Sequence, residues 1–506
     1  MDSHEQKIVA PSTTAILTHH KLTTTDTSAT TLAVGATFSK AVSSDITVKC
    51  GAVDEKSSSH TTSLLTDLEK QDEHVPRSNL YSWLRWTALN TYRRLFSIVF
   101  TANLIAFIVV WVQHRKLLNF IDAAAANLLV CGLARQPLVV NAFYTVACLI
   151  PKSAPLRLRT LAAKVFHFGG VHSGCGMASA VWYITFVGVL TYQYVHGILP
   201  HTAANMAVLV LAYLVMCLLC GIIVAAYPSL RSRYHDAFER VHRFSGWAVV
   251  LMFWPLLLTF SSAQQNSMGQ FLIRQPTFWI LLILTLAIIQ PWTKLRRVKV
   301  TPEKLSSHAI RLHFDFANPK LGQGISISQH PLRDWHSFAS FTDKYDTPDS
   351  KFSLVVSKAG DFTGDVIANP PQHVWKRSVP LYGFGKVMTL YSRMILVTTG
   401  SGIGPCLSFL FDLDAAPTMR VLWQTRTPEQ TYGQRVIDLV HKMDPHPVIL
   451  DTTKGGRIDM LPLVIKMYRE FEAEAVCVIS NPKMTKHLVY ELERRGILAA
   501  GPIFDS

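Results

Sequence analysis

No cysteine framework organises this chain. Its eight cysteines, Cys50, Cys131, Cys148, Cys175, Cys217, Cys220, Cys406 and Cys477, are scattered over 506 residues and mostly set in apolar segments. That spacing excludes a disulfide scaffold or a zinc ribbon. The Cys217-x-x-Cys220 pair sits in an all-apolar stretch, where ordinary helix packing accounts for it better than redox chemistry. Acidic charge is also short, with 34 Asp and Glu against 49 Lys and Arg and a formal net charge of +15. The cations flank apolar segments, so membrane topology explains them better than nucleic acid, and no nucleic-acid partner is expected. Aromatics are scarce in residues 1–78, with Phe38 alone, and no sustained period runs through this Ser/Thr-rich stretch, which reads as a disordered cytosolic tail. The tail lacks the charged start and apolar core of a signal peptide, and Asp2 and Glu5 argue against a transit peptide. Targeting is therefore expected to fall to the first apolar span.

What the chain has in excess is hydrophobicity, 49% of its residues, concentrated between residues 95 and 292. Six spans are expected there, at 95–113, 119–150 (interrupted near Arg135 and Pro137), 165–195, 203–227, 244–261 and 276–292. Basic residues crowd alternate ends: Arg85, Arg93 and Arg94; Lys152, Arg157, Arg159 and Lys164; Arg231, Arg233, Arg240 and Arg243; Lys294, Arg296, Arg297 and Lys299. The opposite loops, 196–202 and 262–275, carry only Arg274. The bias predicts a multi-pass protein with both termini in the cytoplasm. The plasma membrane, rather than the endoplasmic reticulum, is the expected host, and the lipid bilayer the first partner.

Polar groups are costly in hydrocarbon, which makes His167 and His172 early in the third span, and His235 and His242 just before the fifth, candidates for function. A haem with one imidazole from each span would fit near the inner leaflet. Interfacial histidines bonded to backbone or headgroups are the equal alternative. Gly169, Gly170, Gly174 and Gly176 would admit either a flat ligand or a close helix.

Downstream, short strands recur at Arg297–Thr301, His308–Phe316, Gly324–Ser328, Trp335–Phe341 and Phe352–Ser357, with no helical stretch between them, which predicts a small antiparallel barrel. From Met394 strands alternate with helices, as in a doubly wound sheet. The β-branched run Ile395–Thr399 enters Gly400-Ser401-Gly402-Ile403-Gly404-Pro405 and leaves through an apolar stretch with helical spacing. Bare glycine backbone followed by a helix N-terminus suits a pyrophosphate, and Pro405 fits a first helical turn. A tight βα connection that binds nothing is the plainer alternative. The expected architecture is multi-domain. A tail (1–78) precedes a six-helix transmembrane bundle (79–293), which is followed by an antiparallel β-barrel (294–391) and a doubly wound α/β nucleotide-binding domain (392–506).

Three motifs in order, Trp335-His336-Ser337-Phe338-Ala339-Ser340, Lys358-Ala359-Gly360-Asp361-Phe362-Thr363 and the glycine loop with Ser408, resemble the ferredoxin–NADP reductase superfamily. Within it they are similar to the membrane branch of NADPH oxidases and ferric reductases, with W-H-P-F-T, G-D-W-T and G-x-G-I-x-P. Residues 80–506 as a whole resemble fungal integral membrane flavoproteins of the TmpA type. The resemblance implies FAD on the barrel, with His336, Ser337, Phe338 and Ser340 along the flavin and Gly360 and Thr363 at its pyrophosphate. It implies NADPH on Gly400, Gly402, Gly404, Pro405 and Ser408, with Arg426 in Trp423-Gln424-Thr425-Arg426 at the 2′-phosphate. Phe504 would cover the flavin ring as a terminal aromatic. Two departures stand out. The Pro and Thr of the first motif are Ser337 and Ala339, so a hydroxyl near the flavin must come from Ser340 or be absent. Where such relatives carry an outer pair of haem histidines, this chain has Ala180 and Pro255. At most one haem b, on His242 with His167 or His172, is then expected.

The implied function is a membrane-anchored NADPH- and FAD-dependent oxidoreductase serving an unidentified small-molecule acceptor in or near the membrane. The rivals are a ferric reductase or superoxide-producing NADPH oxidase, and a non-catalytic redox-sensing regulatory membrane protein. No residue stands out as a general acid or base. A transporter is disfavoured by the lack of an internal repeat.

Overall fold

The computed structural model describes Leu84 and residues 89–502, apart from 114–115, 264–266 and 348. The Ser/Thr-rich tail and Phe504 lie outside the described residues.

The apolar half is a bundle of helices: α1 (Thr91–Gln113), α2 (Leu117–Leu133), α3 (Pro137–Ala147), α4 (Leu156–Ala163), α5 (Gly169–Val195), α6 (Ala203–Ala225), α7 (Pro228–Arg233), α8 (His235–Ser262), α9 (Met268–Arg274) and α10 (Pro276–Ile289). Among the described residues α1, α5, α6, α8 and α10 with its 3-10 extension to Lys294 are long and apolar enough to cross a membrane. Helix α5 is the central one, packed on α1, α2 and α6 around Phe120, Trp182, Tyr183, Phe186, Val208 and Phe253. Its glycines serve that packing. A Cβ on Gly170 would lie 2.4 Å from the Tyr92 carbonyl oxygen, and one on Gly174 would lie 3.0 Å from Val99 Cβ. Close approach to α1, not a flat ligand, is what Gly170 and Gly174 admit. Cys217 and Cys220 are exposed on α6, so they do not pack between helices as the sequence suggested.

The expected second span, 119–150, is not one element. Helices α2 and α3 are bent 70° apart. Gln136 accepts from the amides of Leu138 and Val139 at 2.6 and 3.0 Å, and Pro137 takes the first helical position, so a new helix starts where the old one ends. Helix α3 then runs against the downstream domains. Asn141 donates to the Pro380 carbonyl (2.9 Å) and accepts from the Tyr382 amide (2.8 Å). Val140 and Tyr144 share a core with Phe384, Val387 and Met388. The expected fifth span also starts earlier, at His235, which places His235 and His242 inside α8.

Beyond Lys294, two antiparallel sheets enclose Val298, Ile310, Leu312, Phe314, Ile327, Phe352, Leu354 and Val374. One runs β1 (Arg296–Lys299), β8 (His373–Lys376), β4 (Gln323–Ser328), β5 (His336–Ala339), with β9 (Leu381–Tyr382) also on β4; the other runs β2 (Thr301–Lys304), β3 (Ala309–Phe314), β7 (Phe352–Ser357), β6 (Phe341–Thr342). The expectation of no helix here is corrected by α11 (Asp361–Ala368). Its start is fixed by Thr363 Oγ1, which accepts from the amides of Ala359 and Gly360. Helix α12 (Phe384–Met388) leads to the third domain.

There, five parallel strands stand in the order β12 (Val448–Asp451), β11 (Thr418–Thr425), β10 (Arg393–Thr399), β13 (Ala475–Ile479), β14 (Ala499–Ala500). Numbered along the chain this is 3-2-1-4-5, the doubly wound order, in which the direction of winding reverses beside the first strand. Helix α13 (Ile403–Cys406) follows β10, α14 (Pro428–Tyr432) and α15 (Gln434–Met443) follow β11, α16 (Thr452–Gly455) and α17 (Met460–Glu470) follow β12, and α18 (Pro482–Arg494) follows β13. Helices α17 and α18 cover one face through Met460, Val464, Leu488 and Leu492. The other face packs on α15 and, unexpectedly, joins the core that holds α3 and α4.

Candidate functional site

The glycine loop sits at the carboxyl end of β10, the strand where the winding reverses, which is where ligands bind in such sheets. Its three glycines do different things. Gly400 adopts φ +51° with open space around it, and its carbonyl accepts from Trp423 Nε1 at 3.0 Å. Trp423 is fully buried near the end of β11 and packs at a tilt on Tyr432, so it fixes the turn from below. A Cβ on Gly402 would stand 2.4 Å from both the Ile479 carbonyl oxygen and Thr398 Oγ1, so this glycine lets the loop cross β13. Gly404 rests at van der Waals distance on Val355 of β7. The run after the loop is a 3-10 turn, the one-turn α13, and a second 3-10 turn to Phe411, shorter and less regular than the helix its spacing predicts.

Helix α13 packs against both β5 and β7, so the loop of the parallel sheet and the strand bearing His336 lie side by side and border one candidate cleft. On the side of the antiparallel sheets His336 stacks on Phe362, ring centroids 4.0 Å apart and 21° from parallel, with Phe338 6.4 Å from the same ring. Burial holds the His336 imidazole below its ordinary range, against the opposing Asp334 carboxylate, so the ring is neutral at neutral pH. A Cβ on Gly360 would meet nothing within 4 Å, and the open amides of α11 begin beside it. A flat apolar ring pair next to bare backbone and a helix N-terminus fits the ring and diphosphate of a dinucleotide.

Other expected residues are turned elsewhere. Ser340 is fully buried and donates to the Gln323 carbonyl at 2.7 Å, which takes its hydroxyl out of the cleft. Ser337 Oγ pairs with Ser326 Oγ at 2.7 Å. Thr363 Oγ1 is occupied by the backbone of its own turn. Ser408 is buried, its Oγ 3.1 Å from where a Cβ on Gly385 would lie.

Arg426 is exposed just past β11. The parallel register pairs Thr425 with Asp451, and the Thr427 amide donates to Asp451 at 3.0 Å while the Ile458 amide donates to Gln424 at 3.1 Å. These bonds bring the exposed Lys454 and Arg457 to the same corner as Arg426. Reading strands singly missed them; the pattern Lys-Gly-Gly-Arg after the next strand was the available signal.

In the bundle, the rings of His172 on α5 and His242 on α8 face each other, centroids 5.9 Å apart and 65° from parallel. His172 Nδ1 lies 2.9 Å from the Cys131 carbonyl oxygen, and His242 Nδ1 is buried without a partner. These two imidazoles are the residues that would hold a single haem, which would supply one-electron chemistry there. His167 instead lies against the neighbouring Phe166, ring centroids 4.0 Å apart and tilted by 35°. No group of three or more His, Cys, Asp or Glu able to hold a metal ion occurs among the described residues.

Comparison with known proteins gives the following. Residues 384–506 match the family described as the C-terminal domain of adenylate-forming reductase 03009. Adenylate-forming reductase 03009 of Coprinopsis cinerea is 40% identical over 468 residues, covering 89% of this chain and 45% of that protein. Adenylate-forming reductase 06235 of the same organism is 38% identical over 444 residues, covering 87% and 42%. The chain thus spans less than half the length of the curated relatives it matches. Among solved structures, ferredoxin-NADP+ reductase from Plasmodium falciparum with 2′P-AMP is similar over 41% of this chain and 95% of its own, at 11% identity and TM-score 0.32. Flavohemoglobin from Malassezia yamatoensis with bound FAD and heme is similar over 76% and 98%, at 12% identity and TM-score 0.36.

Proposed function

We propose that this chain is a membrane-anchored oxidoreductase that binds FAD on the barrel and NADPH on the parallel sheet and reduces an acceptor in or near the membrane. The observation that carries the reading is an adjacency: α13 behind the glycine loop packs on the strand that bears His336. A flavin held there would supply the redox chemistry, accepting hydride from the nicotinamide and passing electrons on. The chain's own residues bind and orient. Gly400 to Gly404 present amides to a diphosphate, Arg426 with Lys454 and Arg457 offers cations to a 2′-phosphate, and His336 and Phe362 offer a neutral stacked face. The apolar helices supply the anchor, with Trp335 beside His336 packed through Arg377 on Trp292 at the end of the last span, 4.5 and 5.0 Å from guanidinium to ring.

The acceptor reading follows from the histidines. With Ala180 and Pro255 in place of an outer pair, electrons have no relay across about 30 Å of hydrocarbon, so the acceptor lies on the inner side. At most one haem, on His172 and His242, belongs to this proposal. A second acceptor class is favoured by the two relatives. Their name joins adenylate formation to reduction, so the reduced group would be one activated as an adenylate.

The test is to purify the protein in detergent, add NADPH without oxygen, and follow the flavin absorbance. Bleaching supports the reading. Bound flavin that never bleaches leaves the redox-sensing alternative, absence of flavin from the folded protein overturns the proposal, and two haems per chain would return the ferric reductase or NADPH oxidase reading.

A further inference from the structure

The end of the last span and the first strand after it gather cations, Lys294, Arg296 and Lys376, that form no ion pair with a carboxylate among the described residues. Strand β1 begins two residues after Lys294, and its register on β8 places Arg296 directly opposite Lys376. Like charges facing each other across an antiparallel pair repel, and such a pair is normally avoided. Here both sit over one ring, Lys376 Nζ at 5.5 Å and the Arg296 guanidinium at 5.8 Å from the centroid of Phe316. Lys376 is only 6% exposed, and its ammonium donates to the Ser378 carbonyl at 3.2 Å. Burial, with Arg296 and Lys294 alongside, pulls that ammonium down to about 8, the behaviour of a cation awaiting a counter-charge.

Ser378 adds an independent sign. It holds a left-handed conformation, φ 64°, is 9% exposed, and its amide donates to the Pro291 carbonyl at 2.9 Å. Its hydroxyl is buried with no partner. An orphaned hydroxyl on the turn whose carbonyl receives a buried lysine, with two more cations beside it, has the donor set of a phosphate site.

We propose that Lys294, Arg296, Lys376 and Ser378 form a phosphate pocket at the foot of the barrel, occupied by the headgroup of an anionic phospholipid in the leaflet where the last span ends. The inference rests on the membrane reading above. The source of the phosphate follows from covalent placement: Lys294 is the last residue of the span Pro276–Lys294, and Ser378 is bonded to Pro291 within it. Juxtamembrane cations are attracted to anionic leaflets in this way. The pocket also stands in line with the proposed flavin strand. Arg296, Lys376, Ile327 and His336 are successive partners across β1, β8, β4 and β5, so a bound headgroup would brace the sheet about 14 Å from His336.

The test uses the full chain in detergent and counts lipids retained per protein by native mass spectrometry, with phosphatidylserine, phosphatidylcholine or inorganic phosphate supplied. Wild type should keep phosphatidylserine in preference to phosphatidylcholine. Lys376→Met should lose about fivefold in that retention and Arg296→Gln a similar amount, with phosphatidylcholine unchanged. Lys376→Arg should restore it. If Lys376→Met does not fold, judged by its circular dichroism, Ser378→Ala and Arg296→Gln carry the comparison. Equal retention by wild type and these variants overturns the pocket, and displacement of phosphatidylserine by inorganic phosphate overturns the lipid as occupant. Extraction of the wild type by alkaline carbonate, measured separately, would sink the membrane reading itself and is distinguishable from both.

Discussion

The Arg159 guanidinium grips the Glu474 carboxylate with both arms, Nη1 to Oε2 at 2.9 Å and Nη2 to Oε1 at 3.0 Å, and Nη1 also donates to the Leu390 carbonyl at 3.0 Å. Arg159 belongs to α4, between two apolar helices, and Glu474 stands at the foot of β13, the strand that Gly402 crosses. Glu474 in turn accepts from the Ser392 amide at the foot of β10. One ion pair therefore ties the helical half to the base of both strands that frame the glycine loop. Arg159→Met would leave the carboxylate with backbone donors alone, and we expect a loss of about 2 kcal/mol, since the pair is bidentate and Glu474 only partly exposed. Thermal unfolding of the detergent-solubilised protein measures it; an unchanged midpoint would show that the clamp contributes nothing.

The same pair sets a pH dependence. Hydrogen bonds from Arg159, foremost, hold the Glu474 carboxyl below the ordinary glutamate value of 4.5 against its partial burial. A carboxylate whose folded value is depressed contributes stability that is complete above the unfolded value and lost as pH falls through the folded one. Stability should therefore decline below about pH 4.5 in the wild type, and decline less over that interval in Glu474→Gln. Parallel unfolding curves for the two proteins would contradict the assignment.

Gly400 and Gly402 should respond differently to alanine. At Gly402 the new Cβ meets two oxygens at 2.4 Å, one of them backbone, so Gly402→Ala should cost about 1–3 kcal/mol and displace the loop. At Gly400 there is room, and only the left-handed φ is strained, at about 1 kcal/mol. Nucleotide titration should find binding abolished or strongly weakened in Gly402→Ala and modestly weakened in Gly400→Ala.

This contrast shows how far the sequence could be read. The loop and the alternation after Met394 were legible because β-branched runs, glycine turns and helical spacing are local signals, and the antiparallel strands up to Ser357 followed in the same way, whereas the short β8 and β9 carry too few residues to show a period. The jobs of individual glycines were not, because Ile479 and Val355 reach the loop only through tertiary packing. The interruption near Arg135 and Pro137 was legible, since proline suits the first turn of a new helix; the packing of α3 on the downstream domains was not, because Val140 is equally apolar whether lipid or protein covers it. Ser340 and Thr363 carry the right hydroxyls in the right motifs, yet backbone partners in the fold consume them.

The bundle histidines can be told apart by pigment. His172 and His242 face each other and His167 does not, so if the protein carries a haem, His172→Ala and His242→Ala should each lose its absorbance while His167→Ala keeps it. Loss in His167→Ala with retention in His172→Ala would reverse the pairing.

Cofactor preference should lie in the corner beyond β11 and β12. Arg426 offers a planar fork to a phosphate, and Lys454 and Arg457 are brought to the same corner by bonds through Asp451 and Gln424. A 2′-phosphate is the only charge by which NADPH differs from NADH, so these cations should act on one cofactor alone. Arg426→Ala should weaken NADPH about tenfold, a loss near that of one charge-assisted contact, and Lys454→Ala with Arg457→Ala should add to it. NADH binding should not change in any of them. Isothermal titration with both cofactors decides the matter: equal weakening of NADPH and NADH would place these residues on the diphosphate or adenine instead, and no weakening would leave them as solvent-facing charge.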